Sequence, residues 1–140
     1  MTRASLTNRR PPATGEMYQT AARRYTLELL KSERRYLTAA AIHRLLKPKA
    51  PKLALSTIYR TLEALRETGT VTSRTDSSGE ASYIFCGDEH HHHAICRNCG
   101  HVDEVDCDAM DAFAAALLEK QSFALADHSL EFYGLCARCR

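Results

Sequence analysis

Ser82–Val105, which reads SYIFCGDEHHHHAICRNCGHVDEV, is the stretch that decides how this chain folds. It holds three of the six cysteines, five of the seven histidines and four carboxylates, set between short apolar runs. Thiolates, imidazoles and carboxylates are the side chains that bind transition-metal ions. The stretch therefore predicts that metal binding organises the fold.

Two CxxC pairs predict a structural zinc site. The first pair is followed by Gly100, whose turn allows both thiolates to reach one ion, and the second pair lies near the C terminus. The 36 residues between the pairs exceed the roughly 15 to 20 of a compact zinc ribbon, so we expect them to form their own secondary structure. A disulfide, a redox motif and buried free thiols are the alternatives. The four sulfur ligands of a tetrahedral zinc would be Cys96, Cys99, Cys136 and Cys139.

The composition is that of a globular protein. Hydrophobic residues make up 44% of the 140 residues and charged residues 26%, and no apolar run approaches the roughly 20 residues that cross a bilayer. Residues 1–12 are basic and polar and lack the apolar core of a secretory signal. We therefore expect a cytoplasmic protein with reduced thiols and no membrane partner.

The two halves of the chain carry opposite charge. Residues 1–75 contain 15 Lys or Arg against 5 Asp or Glu, a balance of +10, whereas residues 76–140 contain 4 against 12, a balance of −8. A basic half of this size is typical of a protein that binds a polyanion such as DNA, and an acidic half rich in His and Cys suits cations. The alternative is two solvated surfaces that merely differ in charge.

The first helices follow a basic arm. Residues 1–15 contain Arg and Pro without an apolar period, which predicts a mobile arm. Apolar residues recur at helical spacing over 16–32, so we expect an amphipathic helix with Arg23 on its exposed side. Thr38 can cap a second helix over 39–47. The predicted buried stripe of that helix is Ala41, Ile42, Leu45 and Leu46.

A third helix and a hairpin come next. Either Ser56 or Thr57 can cap the helix, which is expected to end before Gly69. Two strands, at 70–74 and 81–85, are joined by a polar turn with a glycine.

Three helices and a hairpin over 16–86 predict a winged helix-turn-helix domain that binds double-stranded DNA. In such a motif the third helix enters the major groove with its N-terminal residues at the base edges. Tyr59 and Arg60 are the expected base readers, with Ser56, Thr57 and Arg23 as further contacts. The alternative places Tyr59 in the core and Arg60 on an ordinary surface.

Residues 87–140 predict a small α/β dimerisation domain, which makes the whole chain an α+β protein. The last predicted strand could pair with its symmetry mate, and a two-fold protein suits a palindromic operator. The expected elements are a strand at 94–96, a strand at 102–105, a helix at 108–121 and a strand at 129–135.

Several motifs resemble the ferric uptake regulator family of metal-dependent repressors, over nearly the whole chain from about Tyr18 to Cys139. They are STIYRTL at 56–62, HHHHAICRNCG at 90–100, HSLEFYG at 128–134 and the paired CxxC. The resemblance implies a winged-helix domain, a C-terminal dimerisation domain, a structural zinc held by four cysteines, and regulatory metal sites near the hinge between the domains.

The resemblance also bears on the sensed metal. Members that sense iron or peroxide place a His just before the second helix and a carboxylate just after the wing, where this chain reads RRYL at 34–37 and IFC at 84–86. Cys86 instead matches the thiolate of zinc uptake regulators, and sulfur with imidazole favours zinc over Fe(II) or Mn(II). The sensing site that the resemblance implies is Cys86, His91, His93 and Glu104. Asp76 or water is the alternative to Glu104 as the fourth ligand.

Alternation divides the histidine run into two pairs. Successive side chains of an extended strand point to opposite faces, so His91 and His93 project one way and the other two project the opposite way. The alternative is a solvated polar run without a role. Cys107 matches no ligand position of the family. The second metal site that the resemblance implies is His90, His92, Asp111 and His128.

We expect a zinc-responsive transcriptional repressor that binds palindromic operator DNA as a metal-loaded homodimer and controls metal uptake genes. An iron- or manganese-responsive regulator and a constitutive zinc-containing DNA-binding protein are the alternatives. A zinc hydrolase or deaminase would keep an open coordination position beside a Glu, as in HxE with PCxxC, and neither pattern is present. We therefore expect no catalytic residues and no small organic substrate.

Overall fold

The computed structural model describes residues 14–87 and 90–140. Residues 1–13 of the predicted basic arm lie outside the described residues. The first helix begins at Thr14, so the last two residues assigned to the arm are helical. Among the described residues, no helix is long and apolar enough to cross a membrane.

Three helices and a three-stranded antiparallel sheet form the first half of the molecule. The strand order is β1-β3-β2, in which β2 and β3 form the predicted wing hairpin and β1 is a short strand that the sequence analysis did not predict. This is the winged helix-turn-helix arrangement. The elements are α1 (Thr14–Glu33), β1 (Leu37–Thr38), α2 (Ala39–Leu46), α3 (Leu55–Glu67), β2 (Val71–Thr75) and β3 (Ala81–Phe85).

The caps of α2 and α3 differ. Thr38 caps α2 as predicted, because its Oγ1 accepts a hydrogen bond from the Ala41 N–H at 3.1 Å. The predicted cap of α3 was wrong: the helix begins at Leu55 after Ala54, which makes no side-chain cap bond. Ser56 and Thr57 consequently lie inside the first turn of α3.

The core of the winged-helix half is built from one face of each helix. Leu30, Ile42, Ile58, Leu62 and Leu65 have at most 1% of their surface exposed. Burial of each such side chain contributes about 1.5–3 kcal/mol.

The buried face of α2 is rotated relative to the predicted stripe. Its buried residues are Ala39, Ile42 and Leu46, at positions i, i+3 and i+7. Leu45 is 38% exposed, so its predicted inward position was wrong.

A second sheet and a helix form the other half. The order is β5-β4-β6, with β4 antiparallel to β5 and parallel to β6. The strand β4 starts three residues before the predicted 94, so His91–His93 are extended as the alternation argument requires. The elements are β4 (His91–Cys96), β5 (Val102–Asp106), α4 (Asp108–Gln121) and β6 (Glu131–Gly134).

A small apolar cluster joins the two halves. Ile84 of the wing packs with Ile95 and Val102 of the second sheet, and Tyr36 packs against the same cluster. The Val102 N–H also donates to the Arg34 carbonyl at 2.9 Å. These contacts hold the end of the wing beside β4, which brings Cys86 close to the histidines.

Candidate metal centres

Three groups of His and Cys side chains converge in the described part of the chain, and within each group the ligand atoms lie within 4.8 Å of one another. A tetrahedral zinc has nitrogen ligands at about 2.0–2.1 Å and sulfur ligands at about 2.3 Å. Those bond lengths separate two nitrogens by about 3.3 Å, nitrogen and sulfur by about 3.6 Å, and two sulfurs by about 3.8 Å. These separations test whether each group fits the ion.

The four-cysteine group brings the two CxxC pairs together. Its members are Cys96, Cys99, Cys136 and Cys139. The sulfur atoms of Cys99 and Cys136 are 3.7 Å apart, close to the separation of two thiolates on one zinc. The residues therefore fit a structural zinc.

The backbone around the two CxxC pairs explains why their thiols can converge and bind a metal ion. Gly100 has a φ of +73°, a conformation that favours glycine, and its N–H donates to the Cys96 carbonyl at 2.9 Å. Backbone N–H groups, first that of Cys136 and then that of Cys99, lower the pKa of Cys96 to about 6. The pKa of Cys136 is lowered as well, chiefly by the Arg138 N–H. Both thiols are thus prepared to bind metal as thiolates.

The second group lies where the wing meets the second sheet. The Cys86 sulfur is 3.4 Å from His91 Nε2, which is 3.2 Å from His93 Nε2. Both separations are within about 0.2 Å of those expected around one tetrahedral zinc. The three residues therefore fit a soft divalent ion.

Neighbouring residues orient His93. The Tyr36 hydroxyl donates to Glu131 Oε1 at 2.8 Å, and its oxygen lies 3.3 Å from His93 Nδ1. Because the hydroxyl hydrogen is used by Glu131, Nδ1 carries the hydrogen of the ring and donates to Tyr36. The Nε2 lone pair then faces Cys86 and His91. Burial, reinforced by the nearby His91, lowers the pKa of His93 and keeps the ring neutral, as a metal ligand must be.

The same network reaches the wing and β6. The Arg74 guanidinium lies 4.2 Å from the centroid of the Tyr36 ring and donates to the Tyr133 hydroxyl at 3.5 Å. Tyr133 in turn donates to Glu131 at 2.5 Å. Burial alone would raise the pKa of Glu131, but the hydrogen bonds from Tyr133 and Tyr36 lower it on balance, so the carboxylate is charged.

The predicted fourth ligand, Glu104, is not part of the Cys86 group. It pairs with His93 across β4 and β5 and is exposed. Burial, followed by the charge of Glu104, raises the pKa of Cys86. The alternative ligand Asp76 is used in the wing turn, where its Oδ1 accepts from the Ser78 and Glu80 N–H groups at 2.8 and 3.0 Å. The structure therefore brings three of the four predicted sensing residues together.

The third group contains a cysteine that the sequence analysis could not place. His90, His92 and His128 come together as predicted, but the fourth member is Cys107. Asp111, the predicted ligand, is exposed on α4 and lies outside the group. The sequence signal that could have identified Cys107 as a ligand is its place immediately before the predicted helix over 108–121, one helical turn before Asp111.

The N-terminal part of α3 presents the predicted base readers. Tyr59 is 47% exposed, which excludes the alternative that it packs in the core. Ser56 and Arg60 are exposed, Thr57 is half-buried, and Arg23 is exposed on α1. The Thr57 carbonyl accepts a hydrogen bond from the Thr61 hydroxyl at 2.8 Å, which is a contact within α3. The exposed side chains leave this turn open to a groove of DNA.

The comparisons with known proteins all indicate the same protein family. Residues 15–133 match the model of the ferric uptake regulator family. The ferric uptake regulation protein of Bacillus subtilis is 37% identical over 114 residues, 79% of this chain and 76% of the relative. The zinc uptake regulation protein of Mycobacterium tuberculosis is 33% identical over 112 residues, 80% of this chain and 86% of the relative. The solved structure of a zinc uptake regulator complexed with zinc and DNA covers 91% of this chain and 95% of its own, with 27% identity and a TM-score of 0.60.

Proposed function

Because the chain belongs to the ferric uptake regulator family of metal-responsive transcriptional regulators, we propose that it is a zinc-responsive repressor that binds palindromic operator DNA as a metal-loaded homodimer and controls metal uptake genes. Members of the family are DNA-binding, metal-binding regulators and not enzymes. The observation that carries the proposal is the Cys86 thiol beside two imidazole nitrogens at the end of the wing.

The donor set supports zinc as the sensed metal. One sulfur and two imidazole nitrogens are ligands that zinc accepts, whereas Mn(II) favours carboxylate and water oxygens and non-haem Fe(II) sites combine imidazole with carboxylate. Glu104 or water would complete the coordination of Cys86, His91 and His93. The four-cysteine group would hold a second, structural zinc.

The residues around the Cys86 group link metal binding to the position of the wing. Cys86 follows β3, and His91 and His93 lie on β4, so a bound zinc would join the wing to the second sheet. The Arg74 guanidinium of the wing stacks on the Tyr36 ring, and the Tyr36 hydroxyl contacts and orients His93. Movement of His93 when zinc binds would therefore change the position of the wing. To shift the ratio of DNA-competent to DNA-incompetent protein from 1:99 to 99:1, zinc must bind the competent form roughly 10⁴-fold more tightly. This corresponds to about 5.5 kcal/mol.

The recognition surface lies on the basic half. Arg60 can bridge guanine O6 and N7, and Tyr59 can contact a thymine methyl group or a phosphate. Ser56 and Thr57 lie one turn earlier on α3, and Arg23 is exposed on α1. The balance of +10 over residues 1–75 supplies the attraction to phosphate that any DNA-binding surface needs.

Exposed apolar residues of the second half support dimerisation. Phe113 and Leu118 on α4 are each 55% exposed, and Tyr133 on β6 is 49% exposed. Within the described sheet, β6 is an edge strand that could pair with another chain. A homodimer would cover this surface and place two α3 helices on one palindromic site.

An iron- or manganese-responsive regulator is the second candidate. Glu104 of β5 and Glu131 of β6 are both in register with His93 of β4. These carboxylates offer the oxygen ligands that the harder ions prefer.

DNA binding at controlled free metal concentration tests the proposal. A palindromic duplex is first selected from a random double-stranded pool with the zinc-loaded protein. Fluorescence anisotropy then measures the affinity for that duplex across buffered free zinc, iron(II) and manganese(II). We expect zinc to strengthen binding at the lowest free concentration, and Cys86→Ser to abolish this dependence while the dimer and its structural zinc remain.

Two outcomes would contradict the proposal. Equal DNA affinity with and without zinc would identify a constitutive DNA-binding protein. A response to iron or manganese at lower free concentration than zinc, unchanged in Cys86→Ser, would support the second candidate.

A further inference from the structure

Four donor atoms meet on the face of β4 opposite the Cys86 group. His128 Nε2 lies 3.0 Å from Nε2 of His90, 3.0 Å from Nε2 of His92 and 3.0 Å from the sulfur of Cys107. The sulfur of Cys107 is also 3.3 Å from His92 Nε2. The Nε2 atom of a neutral imidazole carries either one hydrogen or one lone pair. Hydrogen bonds therefore cannot satisfy all three contacts of His128, whereas one cation among the four atoms can, once the nitrogen–nitrogen contacts widen by about 0.3 Å and the sulfur–nitrogen contacts by about 0.3–0.6 Å to the separations found around zinc.

Position and exposure favour Cys107 over Asp111 as the fourth ligand. Cys107 is the N-cap residue of α4 and makes no side-chain cap bond, so its thiol is not used by the helix. Its sulfur contacts two of the histidines directly. Asp111 lies one turn further along α4, is exposed and does not join the group.

We infer that His90, His92, Cys107 and His128 form a zinc site in which the Cys107 thiolate replaces the carboxylate of Asp111. Three imidazoles and one thiolate complete a closed tetrahedral set, which suits zinc and disfavours Mn(II) and Fe(II). When the ion binds, the Cys107 thiol releases its proton to solvent and the sulfur lone pair forms the bond to the metal. This inference rests on the zinc chemistry proposed above, but its test requires no DNA.

The site would attach α4 to the second sheet. Cys107 precedes the first turn of α4, His128 precedes β6, and the other two ligands belong to the central strand β4 and the residue before it. Large apolar residues of α4, Phe113 and Leu118, remain exposed. A bond through Cys107 would therefore fix the orientation of the helix that carries the exposed apolar surface.

Zinc stoichiometry provides the first test. We expect the chain of residues 1–140 to hold three zinc ions per protomer in competition with a chromophoric chelator. Cys107→Ala should hold two, whereas the matched control Asp111→Asn should hold three. Loss of a residue that only hydrogen-bonds to a metal ligand lowers metal affinity by about 10- to 100-fold. Loss of the Cys107 thiolate, a ligand itself, should therefore lower the affinity for the third zinc ion by at least about 100-fold.

Cobalt(II) identifies the ligand directly. The test uses Cys86→Ser protein, which lacks the sensor thiolate, with its four-cysteine group filled by zinc and the retained zinc measured. Cobalt(II) added to this protein should give a near-ultraviolet sulfur-to-cobalt charge-transfer band. The band should disappear when Cys107→Ala is added and persist when Asp111→Asn is added.

Several results would overturn the inference. These are the absence of the band in Cys86→Ser protein, its persistence without Cys107, or loss of the third zinc in Asp111→Asn but not in Cys107→Ala. Cys107→Asp guards against a general folding defect, because it should restore zinc binding with weaker discrimination against Mn(II). A chain that passes these tests but binds DNA equally with and without zinc would contradict only the proposed function.

Discussion

The Tyr36 hydroxyl oxygen lies 3.3 Å from Nδ1 of His93, although the two residues are 57 positions apart in the chain. Tyr36 belongs to the connection between α1 and β1, and His93 belongs to the central strand of the second sheet. The contact joins the winged-helix half to a residue whose other nitrogen faces Cys86 and His91. The Tyr36 hydroxyl thereby connects the candidate metal centre with the winged-helix half.

Replacement of Tyr36 by Phe tests this connection. The ring and its packing against Ile84 and Val102 would remain, whereas the hydrogen bonds to His93 and Glu131 would be lost. Because partners that orient a ligand are worth about 10- to 100-fold in metal affinity, we expect zinc binding at the Cys86 group to weaken by that factor. Chelator competition measures it.

Tyr133→Phe is the matched control for Tyr36→Phe. Tyr133 also donates to Glu131, but the described structure shows no contact between it and His93. Its zinc affinity should stay within a few-fold of the wild type. Equal losses in the two variants would place the effect on Glu131 and not on the orientation of His93.

Removal of metal should unfold one half of the chain and spare the other. The core of α1–α3 contains Ile42, Ile58 and Leu62 and includes no metal ligand, whereas Cys96 at the end of β4 belongs to the four-cysteine group. We expect Cys96→Ser to destabilise β4–β6 because zinc binding energy is folding energy in small metal domains. Hydrogen exchange should show fast exchange in β4–β6 and retained protection in α2 and α3. Uniform loss of protection would contradict this division.

The local patterns of the sequence predicted much of the fold and of the candidate sites. The period-2 alternation of four histidines predicted which two would share a face, because a strand allows only that division. Cys107 escaped prediction because its partners depend on the register between β4 and β5, in which Asp106 lies opposite His91, and no periodicity within either strand fixes that register. The position of Leu45 was wrong for a related reason: the stripe of a short helix fixes its inward face only to within about one residue.

The wing turn gives a prediction that depends on pH. Hydrogen bonds from the Ser78 hydroxyl and then from the Glu80 N–H lower the pKa of Asp76. A lowered pKa contributes stability that is present above the unfolded value of about 3.9 and lost as pH falls through the folded value. The amide resonances of Ser78 and Glu80 should titrate with a midpoint below about 3.9. Asp76→Asn should remove this titration, and a midpoint at or above 3.9 would contradict the account.

Dimerisation predicts the effect of a charge on α4. Leu118 is 55% exposed, and a two-fold interface would bury it once in each protomer. Burial of one Leu contributes about 1.5–3 kcal/mol, so Leu118→Glu should raise the dimer dissociation constant by at least about 100-fold in analytical ultracentrifugation. Leu45→Glu, at an exposed position on α2, should leave the dimer intact. A dimeric Leu118→Glu protein would place the interface elsewhere.

Arg60 and Arg66 lie on the same helix but should affect DNA binding differently. Arg60 is exposed near the start of α3, whereas Arg66 lies in its last turn and donates to Glu63 at 2.8 Å. Since the start of a recognition helix faces the bases, Arg60→Ala should cost about 1–3 kcal/mol of binding to the selected duplex, roughly 5- to 150-fold. Arg60→Lys should not fully restore specificity, because a lysine cannot bridge two acceptors with a planar fork. Arg66→Ala should change affinity by less than about 3-fold, since exposed pairs contribute little. Anisotropy titrations on the selected duplex and on a scrambled duplex distinguish the outcomes: an equal loss on both would make Arg60 a phosphate contact, and no loss on either would remove it from the interface.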